Sequence, residues 1–218
     1  MLRLTSIVTS RGNTLDVATI RPDGEVAGPP VLLLHPINMR KECWLGLLPV
    51  LAGAIGLGVA AGLPGRVLSV TGLGSAIEPH PDPSVEPPAP ADDAAAEELF
   101  DGLARGAVAP GADESVVRTV RRLTNRHGAE VVTRILRAAY SADASAWLED
   151  VRCPALWLTG EHDVTLSIEA GEDIARRLGG RHRTLSGVGH LPMIEDAAAV
   201  LAHLVPHLRT ADALVPGR

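Results

Sequence analysis

The chain has 218 residues, 46% of them hydrophobic, which is enough for one domain with a proper core. A formal net charge of −6 with no basic stripe excludes nucleic acid as an expected partner. Cys43 and Cys153 lie far apart without C-x-x-C spacing, so neither a disulfide scaffold nor a metal centre is expected.

Residues 5–21 read as a hairpin. Ser6-Ile7-Val8-Thr9 and residues 15–20 are strand-like, and Arg11-Gly12-Asn13 is the turn. Residues 1–12 lack the apolar core of a signal peptide, so a soluble, cytoplasmic protein is expected. After a turn-rich link, Val31-Leu32-Leu33-Leu34 is a continuous apolar run, the pattern of a parallel strand buried on both faces.

Residues 44–65 carry no charge and are numerous enough to raise the question of a membrane span. Pro49 and the glycines at 46, 53, 56, 58, 62 and 65 argue instead for buried helix, broken near the proline. Residues 40–63 are therefore expected to be helical and residues 66–72 to form a second buried strand. The proline-rich stretch after residue 76 predicts an exposed connection. Helical periodicity follows at 94–103, 114–126 and 129–140, an all-helical insert between strands.

Residues 155–159 predict a buried strand, and 167–178 a helix capped by Gly179-Gly180. A short strand at 182–185 and an amphipathic helix at 195–208 complete the pattern. Strands alternating with helices predict an α/β fold with a mostly parallel sheet of about five or six strands. The expected organisation is a core of residues 1–75 and 150–210, a helical cap at 76–149, and a polar tail at 211–218.

In open parallel sheets, sites form at the carboxyl ends of strands. Three such ends hold polar groups: His35-Pro36-Ile37-Asn38, Gly160-Glu161-His162-Asp163 and Gly187-Val188-Gly189-His190. A carboxylate and an imidazole on neighbouring loops can meet, the first fixing the tautomer of the second.

At these residues the chain resembles the α/β-hydrolase superfamily. Leu32-Leu33-Leu34-His35-Pro36 is similar to the strand and HG segment that supplies an oxyanion-hole amide. Thr159-Gly160-Glu161-His162-Asp163 resembles the acid turn. Gly187-Val188-Gly189-His190-Leu191-Pro192 with Glu195 resembles the G-x-G-H-x-P-x-x-E histidine loop. The stretch from Ala54-Ile55-Gly56 to Arg66-Val67 resembles the helix and strand that follow the nucleophile. The resemblance implies Asp163 as the catalytic acid, His190 as the general base and the Ile37 backbone N–H as an oxyanion donor. It implies no cofactor, and a small ester or lactone as substrate.

The nucleophile does not carry over. No Ser, Cys, Thr or Asp has Gly two residues before and two after it, so the elbow is missing. Aligned from the downstream helix, its place falls near Val50. A deletion of two strands, a helix and the elbow between about Leu48 and Ala54 accounts for this, and for the long uncharged run. Cys43 would lie on a helix and not on a strained turn. Ser75 ends the strand at 66–72 and is the one residue that could serve as a relocated nucleophile; a plain turn serine is the competing reading. Three functions stay open: an ester or lactone hydrolase, a His–Asp general-base catalyst without a serine, and a degenerate non-catalytic binding protein.

Overall fold

The computed structural model describes residues 2–8, 14–20, 54–63, 66–124 and 127–212. The expected strand at 31–34, the Ile37 amide, Cys43 and the region around Val50 lie outside the described residues.

Two strands near the start, β1 (Leu2–Val8) and β2 (Thr14–Ile20), form an antiparallel hairpin with Leu2 opposite Ile20 and Val8 opposite Thr14. Residues 1–30 are a compact unit of their own.

In the remainder, every residue of β4 (Ala155–Gly160) is buried, as a strand covered on both faces must be. It pairs in parallel with β3 (Val70–Leu73) on one side and β5 (Arg181–Leu185) on the other. The expected strand at 66–72 thus begins later, at Val70. Its N–H donates to the Pro154 carbonyl, and Val70 lies opposite Ala155, the first residue of β4. Three parallel strands, fewer than the five or six expected, are present among the described residues.

Alternate residues of β4 feed two cores. Leu156 and Leu158 pack with Leu73, Leu185, Val188, Val200 and Leu204. Ala155 and Trp157 pack on the opposite face with Leu57, Val70, Ile174 and Leu178. Trp157 is fully buried, lies opposite Gly72, and donates its indole N–H to the Ser75 carbonyl at 3.1 Å. A Cβ at Gly72 would lie 2.4 Å from the indole, so the ring fits because position 72 has no side chain.

From the uncharged run, α1 (Ala54–Gly62) puts Leu57 and Ala60 into the second core, against β3 and the 3₁₀ helix Ser145–Asp150. No helix among the described residues is long and apolar enough to cross a membrane.

Between β3 and β4 the chain forms α2 (Asp93–Gly106), α3 (Glu114–Leu123) and α4 (Ala129–Ser141). The expected helix at 114–126 stops at Leu123, where Thr124 turns extended. Asp93 of α2 accepts from the Ala129 N–H at 2.9 Å and so holds the start of α4 from across the chain. The connection after residue 76 is mostly exposed, as expected, except that Ile77 is buried and pairs its carbonyl with the Ala144 N–H. His80 stacks on Tyr140 in the same stretch.

Helix α5 (Ile168–Arg177) is capped by Ser167 and closed by Gly179, whose φ is 61°. A short turn, α6 (Pro192–Glu195), precedes α7 (Ala197–Asp212). The single helix expected at 195–208 is therefore divided at Asp196 and runs on beyond residue 210. Val200, Leu204, His207 and Ala211 form its buried stripe, which still continues at residue 211 and keeps the helix docked past the expected limit.

Candidate active site

The acid turn and the histidine loop are fastened to each other by backbone hydrogen bonds. Glu161 N–H donates to the Leu185 carbonyl at 2.9 Å, and His162 N–H to Val188 at 2.8 Å. Glu161 accepts from the Ser186 hydroxyl and the Gly187 N–H, which with the pull of His162 holds its carboxyl below the usual range. A Cβ at Gly160 would lie 2.1 Å from the Gly189 carbonyl oxygen, so the two loops touch through glycine.

This contact brings Asp163 and His190 together. The His190 Nδ1 lies 3.0 Å from Oδ1 of Asp163 and 3.1 Å from Oδ2. The Asp163 side chain is fully buried, while 24% of the His190 side chain is exposed. Oδ1 also accepts from the backbone N–H of Thr165 at 2.8 Å and of Leu166 at 3.0 Å. A buried carboxylate needs such donors. Because the carboxylate accepts, the ring proton sits on Nδ1 and the lone pair on Nε2. That nitrogen has no hydrogen-bond partner among the described residues.

Two contributors escape sequence reasoning. Gly74, at the end of β3, has a φ of 54° and abuts the pair: a Cβ there would lie 2.9 Å from Asp163 Oδ2 and 3.2 Å from His190 Nδ1. The turn after α2 is the other. The Ala107 carbonyl accepts from the His190 N–H at 2.8 Å, and the Ala109 N–H donates to Glu195 at 2.7 Å. These are backbone groups under Ala side chains and leave no mark in the sequence; the Glu195 of the histidine-loop motif is the only hint of them.

Ser75 lies beside Gly74 but is not joined to His190. Its hydroxyl donates to the Leu73 carbonyl at 3.2 Å and its own carbonyl receives Trp157. No Ser, Thr or Cys among the described residues is hydrogen-bonded to His190. Cys153 is half-buried, and burial pushes its thiol up, toward the unreactive form. No group of His, Cys, Asp and Glu suited to a metal ion occurs among the described residues.

No protein-family model matches the sequence, and no curated protein matches it either. Solved structures do match. A thermophilic esterase from Thermogutta terrifontis, solved with malate bound, is 16% identical, with a TM-score of 0.71 over 96% of this chain and 99% of its own. A hydrolase from Pseudomonas aeruginosa is 21% identical, with a TM-score of 0.68 over 92% and 98%. The enol-lactonase from Burkholderia xenovorans is 22% identical, with a TM-score of 0.57 over 71% and 61%. The chain has the α/β-hydrolase fold. Likeness at this identity establishes architecture, and the chemistry must be argued from the site.

Proposed function

We propose that the protein hydrolyses small carboxylic esters or lactones slowly, with His190 as general base, Asp163 as its orienting acid and water as the attacking nucleophile. The observation that carries this reading is the buried Asp163 carboxylate holding Nδ1 of a partly exposed His190 whose Nε2 is unpartnered among the described residues. Water attacks the carbonyl carbon as Nε2 takes its proton; the tetrahedral intermediate then expels the alkoxide, which recovers that proton from the imidazolium. The Ile37 N–H is the proposed oxyanion donor, and the helical insert at 76–149 the cap over the substrate. No cofactor enters.

The rate is expected to be low. Triads stripped of a nucleophile retain roughly 10³- to 10⁴-fold acceleration over water. Without an elbow, the amide after the nucleophile is lost too, and one missing oxyanion donor costs about 10²–10³ in rate. The test is p-nitrophenyl acetate hydrolysis by purified protein, beside His190→Ala and Ser75→Ala, with labelling by a serine-directed phosphonate. Slow turnover lost in His190→Ala, retained in Ser75→Ala and accompanied by no labelling is the expected result. Labelling lost in Ser75→Ala would install a relocated nucleophile. Turnover indifferent to His190→Ala would remove the pair from the chemistry, and no turnover at all would favour the non-catalytic binding protein.

A further inference from the structure

The histidine loop is held by one side chain more than catalysis by the pair requires. Glu195, in the short α6, is half-buried, and its two oxygens collect three backbone donors. Oε2 accepts from Ala109 N–H at 2.7 Å and Gly189 N–H at 3.0 Å; Oε1 accepts from Leu191 N–H at 3.1 Å. Between the last two, the His190 N–H goes to the Ala107 carbonyl at 2.8 Å. Three consecutive amides of the loop are therefore tied down, two by Glu195 and one by the same 107–109 turn that Glu195 also holds. Gly189 is pressed against that turn, since a Cβ there would lie 2.7 Å from Ala109 N.

We propose that Glu195 is a positioning residue for His190: its carboxylate locks the histidine loop to the 107–109 turn of the helical insert, and so fixes the imidazole against Asp163. The inference rests on the reading of His190 as the base, but its geometry is testable without turnover. A carboxylate can take three N–H donors on its two oxygens, whereas a glutamine amide offers one acceptor oxygen and turns an NH₂ toward the donors. Glu195→Gln therefore breaks the clamp with almost no change in size. Hydrogen bonds to a charged group are the stronger kind, so amides released from one exchange at least about tenfold faster.

The experiment is ¹H NMR of the low-field Nδ1 proton shared with Asp163, assigned by its loss in His190→Gln, together with amide exchange at Ala109, Gly189 and Leu191. In Glu195→Gln the low-field proton should be lost or displaced, with about tenfold or faster exchange at the three amides. Glu130→Gln, an exposed glutamate of α4 paired with Arg134, serves as control and should leave these signals in place. If Glu195→Gln does not fold, Glu195→Asp is read instead and should shift the same signals, since its carboxylate is one methylene too short. Unchanged signals in the Glu195 variant, or equal changes in Glu130→Gln, overturn the proposal. Where wild-type turnover is measurable, kcat should fall at nearly constant KM. A protein with no turnover but with the NMR changes intact would retain the clamp and discard the catalytic reading.

Discussion

A methyl group at position 74 would sit 2.7 Å from the His190 carbonyl oxygen and 2.9 Å from Asp163 Oδ2. Neither neighbour can withdraw easily. The His190 backbone is held by Ala107, and Asp163 Oδ1 is held by Thr165 and Leu166. Gly74 is itself fixed, its N–H donating to the Leu158 carbonyl at 2.9 Å. A φ of 54° adds a backbone penalty of roughly 1–2 kcal/mol for any residue with a side chain. Gly74→Ala should therefore destabilise the fold and push the pair apart, its Nδ1–Oδ distances opening beyond about 3.5 Å in a crystal structure of the variant. A variant structure with the pair still at its original separation would show that the loops yield where they are taken here to be rigid.

At the scale of elements, one tight constraint is the packing of β3 on β4 through Gly72 and Trp157. A Cβ at position 72 would meet three indole atoms at 2.4–2.5 Å, and the indole is buried with its N–H committed to Ser75. Overpacking of this kind costs typically 1–3 kcal/mol, so Gly72→Ala should lower the stability read from urea unfolding by about that amount. A loss within about 0.5 kcal/mol would mean that Trp157 has room to shift. Such contacts also explain what could be read in advance. The acid turn and histidine loop were legible because each is a short contiguous string whose glycines and polar residues dictate a local turn. β4 was legible because full burial demands an unbroken apolar run. The late start of β3 was not, because Val67 and Leu68 continue the apolar pattern and the pairing begins only where β4 does, with Val70 opposite Ala155. The role of Gly74 and of the 107–109 turn was equally hidden, since both depend on approaches between segments distant in sequence.

For the whole molecule, two histidines, His207 buried and His182 half-buried, bear on how stability depends on pH. His207, 1% exposed in the stripe of α7, has its imidazole pushed down by burial and, secondarily, by Arg181, with the Val70 backbone pulling the other way. Its Nε2 has no hydrogen-bond partner among the described residues, so a proton there would be poorly accommodated. His182 is lowered too, by burial first, against the opposing pull of Glu172. In both cases the unfolded chain binds the proton more readily than the native one. Their contribution is thus fully present above the ordinary histidine value of about 6.5, and is lost as pH falls through it toward the lower native value. Surface carboxylates lowered by hydrogen bonds, Glu161 and Asp173 among them, act in the same direction, but only nearer and below the ordinary carboxylate range. The net charge of −6 works oppositely, because self-repulsion relaxes as protons bind. At physiological salt that repulsion is screened beyond about 8 Å, whereas a buried imidazole is screened hardly at all, so the histidine effect should prevail. Urea midpoints measured from pH 8 down to pH 5 should fall through the window near 6.5, and His207→Gln, which removes the titrating group at similar size, should flatten much of that fall. A wild-type midpoint level across the same range, or a slope unaltered in His207→Gln, would show that His207 takes up its proton without strain in the native fold.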